Sequence, residues 1–145
     1  MPFTCEIITQ ERLVYKESGI ESVTARGIAG ELTVLSRHAP LITALDYGEV
    51  RVRKENIEQI FAIGGGILQV AENYMVILAD SAERSDEIDI ARAQEARRRA
   101  QKIMEEGILA DPAALAALEA AIKRAEIRMK VARQHHSQHG PGIDV

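Results

Sequence analysis

ADSAERSDEIDIARAQEARRR, residues 79–99, is the stretch on which the fold turns. Strand-like residues fill nearly everything before it, and strong helix formers nearly everything after it. Asp86 is placed to cap a helix by accepting from its first free N–H groups, so a helix is expected to begin near Glu87. Asp89 then falls in the first turn, where the helix dipole favours a carboxylate, and Arg92 follows at i+3 within reach of an ion pair. On local physics alone these residues start a helix well. They also suit a nucleotide: Arg92 and Arg99 lie about two turns apart on one side, with guanidinium groups fit for phosphate oxygens, and a carboxylate can accept from a base amine. Local physics leaves both readings open.

The 145 residues give room for one ordinary domain or two small ones. The charge pattern favours two. Residues 1–86 hold 8 Lys+Arg against 13 Asp+Glu, whereas residues 87–145 hold 10 against 9, and the change of sign coincides with the change of periodicity. A net charge of −4, with three Tyr, two Phe and no Trp, supplies neither the basic face nor the stacking platform of a nucleic-acid binder. Cys5 is the single cysteine, so no internal disulfide forms, and its place in an alternating apolar run makes it a packed strand residue. This pattern is that of an intracellular protein. No apolar segment reaches the roughly 20 residues of a membrane span, and the N-terminus lacks the marks of a signal peptide, so direct membrane insertion is not expected.

Nine candidate strands are legible before residue 84: residues 3–8, 13–16, 20–26, 31–35, 41–45, 49–53, 57–63, 67–71 and 74–79. In Glu49-Val-Arg-Val-Arg53 the alternation is strict, which turns Val50 and Val52 to a core and the charges to water. Gly19, Gly27 to Gly30, Pro40, Gly48, Asn56, Gly64 to Gly66 and Asn73 punctuate the runs at the spacing of an all-β sandwich or flattened barrel. Gly64-Gly65-Gly66 is not a phosphate loop, because no Lys-Ser or Lys-Thr follows and the next residues read as strand; a bulge or tight β connection accounts for it.

The first helix, residues 87–106, carries Ala93, Ala96, Ala100 and Ile103 on one stripe, with Gly107 as its C-terminal cap. Asp111-Pro112 restarts a helix as cap and first helical residue. Its stripe, Leu115, Leu118, Ile122, Ala125, Met129 and Ala132, is spaced 3, 4, 3, 4, 3 like a coiled-coil seam. So short a connection makes the two helices antiparallel neighbours. Because the facing stripe is mostly alanine, it buries little apolar area, and the hairpin is expected to close only marginally. Lys123, Arg124, Arg128, Lys130 and Arg133 against Glu126 make the last helix basic and suited to an acidic partner. The divisions expected are a β-sandwich over 1–86, a helical hairpin over 87–134 and a disordered tail over 135–145. The tail's His135, His136 and His139 lack the nearby Cys or carboxylate of a metal site, and none is expected.

Three stretches carry a resemblance to a known family: Gly30-Glu-Leu-Thr-Val-Leu-Ser-Arg-His-Ala-Pro-Leu41, Gly64-Gly-Gly-x-Leu-x-Val70, and Val76-Ile-Leu-Ala-Asp80 leading into Ile-Asp-x-x-Arg-Ala at 88–93. In order and spacing they resemble the epsilon subunit of the F-type (rotary) ATP synthase, over residues 3 to about 133. Thr33, Ser36 and Arg37 depart from the family's Gly, Pro and Gly in the first stretch. The resemblance implies a β + α fold in which a ten-stranded β-sandwich precedes an antiparallel two-helix hairpin. It implies a non-catalytic subunit of the central stalk, whose sandwich contacts the gamma subunit and the c-ring and so couples proton flow and rotation to ATP synthesis. By motif position Glu31 and His38 fall in the stalk and ring contact. The hairpin is implied to be mobile, inhibiting ATP hydrolysis when extended into the alpha/beta catalytic head, with Arg128, Lys130 and Arg133 on the inserted helix. In some members the folded hairpin binds ATP. That would place Ile88, Asp89, Arg92 and Ala93 at a nucleotide, with Glu83, Arg99, Arg124 and Arg128 at positions similar to those of ATP-binding members. ATP would then be regulatory, and no cofactor is required. The implied location is peripheral, through the complex, at the cytoplasmic face of a bacterial cell membrane or at a thylakoid. The alternative is a free-standing ATP-sensing module with the same hairpin and no stalk partner. An independent hydrolase finds no nucleophile paired with a base, metal cluster or phosphate loop in the sequence.

Overall fold

The computed structural model describes residues 2–107 and 111–138, with side-chain surroundings up to Gln134. It divides into two compact units at Arg84/Ser85, two residues before the boundary read from the charge pattern. The first unit contains eight strands: β1 (Phe3–Ile8), β2 (Leu13–Ile20), β3 (Ser22–Gly27), β4 (Gly30–Leu35), β5 (Leu41–Lys54), β6 (Ile57–Ala71), β7 (Tyr74–Ala79) and β8 (Ala82–Arg84). Hydrogen bonds order them β2-β1-β7-β6-β5-β3-β4, with β8 also on β6.

The two long strands explain the difference from nine or ten. Residues 41–45 and 49–53 belong to one strand, as do 57–63 and 67–71, and the β5–β6 ladder runs from Leu41↔Val70 to Lys54↔Ile57. Each strand serves both layers of the sandwich, half in one and half in the other. The C-terminal half of β6 pairs with β7 from Gly66↔Ala79 to Ala71↔Tyr74, and its N-terminal half pairs with β8 from Phe61↔Arg84 to Ile63↔Ala82. One layer is therefore β2-β1-β7 with the first half of β5 and second half of β6. The other is β8, the remaining halves, β3 and β4. Counted by halves, each layer has five members, which recovers the expected ten.

Glycine makes the passage between layers feasible. Gly66 adopts φ +143°, and a Cβ there would come within 2.2 Å of the Leu78 carbonyl oxygen, so no other residue fits without moving β7. Gly64 N–H donates to the Ser81 carbonyl at 2.9 Å and Asp80 N–H to the Gly65 carbonyl at 3.0 Å, so the triplet is a backbone crossing inside one strand rather than a connection between two. Two tight hairpins, at Glu55-Asn56 and Glu72-Asn73, hold both central residues at positive φ, as a type I′ turn demands.

Inward residues alternate along β1, β3 and β7, whereas residues 60–65 of β6 are buried without a break. Phe3, Cys5 and Ile7 of β1 meet Val50, Val52, Phe61 and Ile63 in one buried cluster, and the Tyr15 ring of β2 packs edge-on to Phe61 at 5.2 Å between centroids. Cys5 is fully buried, as its alternation predicted, and burial first, the Glu6 carboxylate second, pushes its thiol up to about 12.

In the second unit, Ser85–Glu87 form one 3-10 turn before α1 (Ile90–Glu105), and α2 (Pro112–Gln138) packs against α1. The expected cap at Asp86 is corrected here. Asp89, not Asp86, caps α1: it holds extended backbone angles, and its Oδ1 accepts from the Arg92 N–H at 3.2 Å. Glu87, assigned to the helix, ends the 3-10 turn, and Asp89 stands before the first turn of α1 rather than in it. Gly107 ends the helix at φ +63°, its N–H reaching the Met104 carbonyl at 3.2 Å. Asp111 Oδ1 accepts from the Ala113 N–H at 3.0 Å, so Asp111-Pro112 opens α2 as read. Arg97 Nε lies 3.9 Å from Glu126 Oε1, joining the helices at mid-length as an antiparallel hairpin requires. Ala93, Ala100, Ala125, Met129 and Ala132 are buried, whereas Ile103 of the expected stripe is 42% exposed. Helix α2 continues to Gln138, so residues 135–138, expected in a disordered tail, are helical; the tail's 139–145 lie outside the described residues.

Candidate functional site

Pairing register shows something on the sandwich that the single strands do not. In the layer containing β1 and β7, the residues turned away from the core form a row across five strands: Leu13↔Ile8, Ile8↔Leu78, Leu78↔Ile67 and Ile67↔Ala44. Beside this row Val76 pairs Gln69, which pairs Ile42. Leu13 and Leu78 are 52% exposed, Ile67 48% and Ile42 70%. Single exposed apolar residues are ordinary, but a contiguous row of large ones marks a docking surface. The sequence reading missed it. Tyr74–Ala79 is an almost unbroken apolar run, and only the register with its neighbours tells which half faces out.

Glu31 and His38, read together as one contact loop, occupy opposite ends of β4. Glu31 stands in the strand one residue past the β3–β4 turn, exposed and opposite Arg26. His38 lies in the loop after the strand, where the His38 N–H donates to the Leu35 carbonyl at 3.2 Å and Nδ1 sits 2.7 Å from the Ala39 carbonyl oxygen. That oxygen only accepts, so Nδ1 carries the proton. Arg37 in the same loop takes φ +64°, in place of the glycine that such an angle favours.

The basic and acidic residues read as a nucleotide site fall mostly on the hairpin. Asp89 is engaged as the cap, and Arg92, 85% exposed, points its Nε to within 4.0 Å of Asp89 Oδ2. Arg99 Nε is 3.7 Å from Glu95 Oε1, and Glu95 also receives two bonds from Arg98, whose guanidinium holds the carboxyl below its ordinary range. Arg124 is exposed and Arg128 half-buried one turn further along α2. Ala93 is fully buried and Ile88 partly so, which gives them packing roles in this arrangement. Glu83 is on β8, in the other unit. Lys130 and Arg133, exposed on α2, extend the basic face. Among the described residues no group of three or more His, Cys, Asp or Glu is placed to hold a metal, and no helix is long and apolar enough to cross a membrane.

Residues 2–85 match the family model described as ATP synthase, Delta/Epsilon chain, beta-sandwich domain. Most of the chain is similar to proteins called ATP synthase epsilon chain: it is 46% identical to one from Dehalococcoides mccartyi strain BAV1, covering 92% of this chain and 95% of that one. It is 41% identical to one from Herpetosiphon aurantiacus, covering 92% and 96%. Among solved structures, a chain of the Euglena gracilis mitochondrial ATP synthase, described as OSCP/F1/c-ring, superposes with a TM-score of 0.63 at 20% identity, over 96% of this chain and 82% of that one. A chain of the Tetrahymena thermophila mitochondrial ATP synthase, described as central stalk/c-ring, gives 0.59 at 17% identity, over 89% and 95%.

Proposed function

Because the chain belongs to the ATP synthase epsilon chain family, as a subunit without catalytic chemistry of its own, we propose that its two units divide the work of the central stalk. In this reading the sandwich is the anchor. Its apolar outer row, Leu13, Ile8, Leu78 and Ile67, docks on the gamma subunit, and the β4 ends bearing Glu31 and His38 face the c-ring. The observation that carries the proposal is the row itself, since large apolar side chains in register across four strands gain most by burial against a partner. The protein is then peripheral, held to the cytoplasmic face of a bacterial membrane, or to a thylakoid, through the complex. Co-purification of tagged chain with gamma tests this. Ile67→Asp with Leu78→Asp should lower the affinity at least roughly 30-fold, about 2 kcal/mol, because two charges are desolvated without partners. Undiminished co-purification would remove the row from the interface, and a chain that never captures gamma would favour the free-standing sensor.

The hairpin is the regulator in the same proposal, extending its basic face, Arg128, Lys130 and Arg133, into an acidic surface of the alpha/beta head to restrain ATP hydrolysis. Support comes from the thin alanine seam, which leaves the closed hairpin within reach of a second arrangement. ATP would favour the closed form through Asp89 and Arg92, with Arg99, Arg124 and Arg128 about the phosphates, because an anion relieves repulsion among arginines only where they converge. At 100 times its dissociation constant a ligand contributes about 2.7 kcal/mol, enough to tip a nearly balanced pair of states. The check is ATP titration of wild type and Arg92→Ala with the distance between α1 and α2 as readout. Equal responses would leave Asp89 and Arg92 as a helix start.

A further inference from the structure

A second row lies beside the docking row, and its chemistry differs from end to end. In register it runs Lys16↔Glu6, Glu6↔Val76 and Val76↔Gln69, all turned away from the core on β2, β1, β7 and β6. Charge is confined to the β2–β1 end. Glu6 is half-buried there, and Tyr74, two residues before Val76 on β7, donates its hydroxyl to Glu6 Oε2. That bond is the first cause of a phenol raised above its ordinary value, so at neutral pH the hydroxyl keeps its proton and orients the carboxylate. A neutral hydroxyl meets one acceptor site of a carboxylate and none of its charge. Glu6 stands two residues from Ile8, about 7 Å along the strand, and Ile8 pairs with both Leu13 and Leu78 of the docking row. A specific interface covers about 800 Å² on each partner, so whatever covers Ile8 and Leu78 also covers Glu6. Covering a carboxylate that has only a hydroxyl beside it is unfavourable. Covering it against a guanidinium, which gives two parallel charge-assisted bonds, is not. Lys16, exposed on edge strand β2, is the competing counter-ion, and it would have to give up its own water to serve.

We propose that Glu6 is a specificity determinant of this face, an oriented carboxylate that selects a partner surface on which an apolar strip is flanked by an arginine. The proposal rests on the apolar row as the gamma contact, and it adds the chemistry that gamma must present. Apolar side chains meet the row, and one guanidinium stands about 7 Å to the side of that strip. Because charge lies at one end of the second row and Val76, Gln69 and Ile42 at the other, the carboxylate also fixes which way round the partner lies.

The test is capture of gamma by the full chain, with association and dissociation rates read separately. Glu6→Gln should raise the dissociation rate roughly tenfold and leave the association rate within about threefold, because a covered, hydrogen-bonded charge acts on departure whereas a solvated rim charge acts on arrival. Glu6→Lys should weaken capture at least roughly 100-fold, since two cations are then pressed together. Tyr74→Phe, which keeps the ring and removes the hydroxyl, should raise the dissociation rate about threefold. Lys16→Met should leave dissociation unchanged or slow it, because Lys16 repels a partner's cation. Unchanged melting temperatures of these variants separate loss of a contact from loss of the fold. An effect of Glu6→Gln on association alone would make the carboxylate a solvated rim charge, and a Lys16→Met loss equal to that of Glu6→Gln would make Lys16 its counter-ion; either overturns the proposal. If Glu6→Lys captures gamma as the wild type does while Ile67→Asp with Leu78→Asp fails, the row stands and the carboxylate has no part in it. If neither changes capture, the row reading itself falls and takes this inference with it.

Discussion

The two layers of the sandwich share one core and present opposite chemistries outward. Beyond β1 and β7 stand Leu13, Leu78 and Ile67 in a row; beyond β5 and β3 stands a charged lattice. In that lattice Arg51 donates to Glu49 Oε1 from Nε at 3.2 Å and Nη2 at 3.1 Å, and to Glu58 Oε1 from Nη1 at 3.0 Å, while the Thr24 and Thr33 hydroxyls meet at 3.1 Å on the β3–β4 pair. A lattice whose charges already pair with one another gains little from a partner. A row of isoleucine and leucine gains a great deal, at about 25 cal/mol for each Å² taken from water. Both faces contribute modestly to folding, and the difference between them is a difference in what they can join.

The comparison can be broken most severely at the crossing that joins the layers. Gly66→Ala should destabilise the sandwich by about 3 to 4 kcal/mol, because the new methyl meets the Leu78 carbonyl and φ +143° is strained for any side chain. Urea unfolding measures it, and a loss below about 1 kcal/mol would mean β6 and β7 part freely at that point. Next comes the space between the faces. A thiol raised from its ordinary 9.0 to about 12 stays protonated in the fold while the unfolded chain ionises. The stabilisation is full below the unfolded value and is lost as pH rises towards 12, amounting to about 2 kcal/mol by pH ~10.5. Cys5→Val should remove that part of the alkaline limb in melts at pH 8 and pH ~10.5; an unaltered pH dependence would mean that the interior is not dry at β1. The smallest effect belongs to the charged face. Arg51→Met should cost about 1 kcal/mol at low salt and less at high salt, with no change in the capture of gamma. If it instead impaired capture as much as Ile67→Asp with Leu78→Asp, the faces would not differ as described.

Much of this was legible in the sequence where chemistry is local. Asn56 and Asn73 marked the tight hairpins because asparagine tolerates positive φ, and Gly107 and Asp111-Pro112 marked the helix ends because caps depend on one or two residues. The Val50 and Val52 alternation gave the correct inward face. Where two local solutions compete, the sequence does not choose: Asp86 and Asp89 can each cap a helix, and the 3-10 turn at Ser85–Glu87 decides for the second. Asp46-Tyr-Gly48 and Gly64 to Gly66 read as turns because glycine permits one, although here it lets a strand continue into the next layer. The apolar row was invisible for a different reason, since it exists only between strands. Glu31 and His38 were close in number and so read as one site, yet Glu31 lies at the start of a six-residue strand and His38 in the loop past its other end.

One pairing also bears on how the chain is made. β1 is held in parallel by β7, Thr4 against Tyr74 and Ile8 against Leu78. During synthesis the first strand must therefore wait for roughly seventy further residues before its second neighbour emerges, with β2 alone for company, whereas the hairpin closes over a short connection. At roughly 5 to 20 residues per second that wait lasts several seconds, long enough for a chaperone at the ribosome exit to meet Phe-Thr-Cys-Glu-Ile-Ile before the sandwich does.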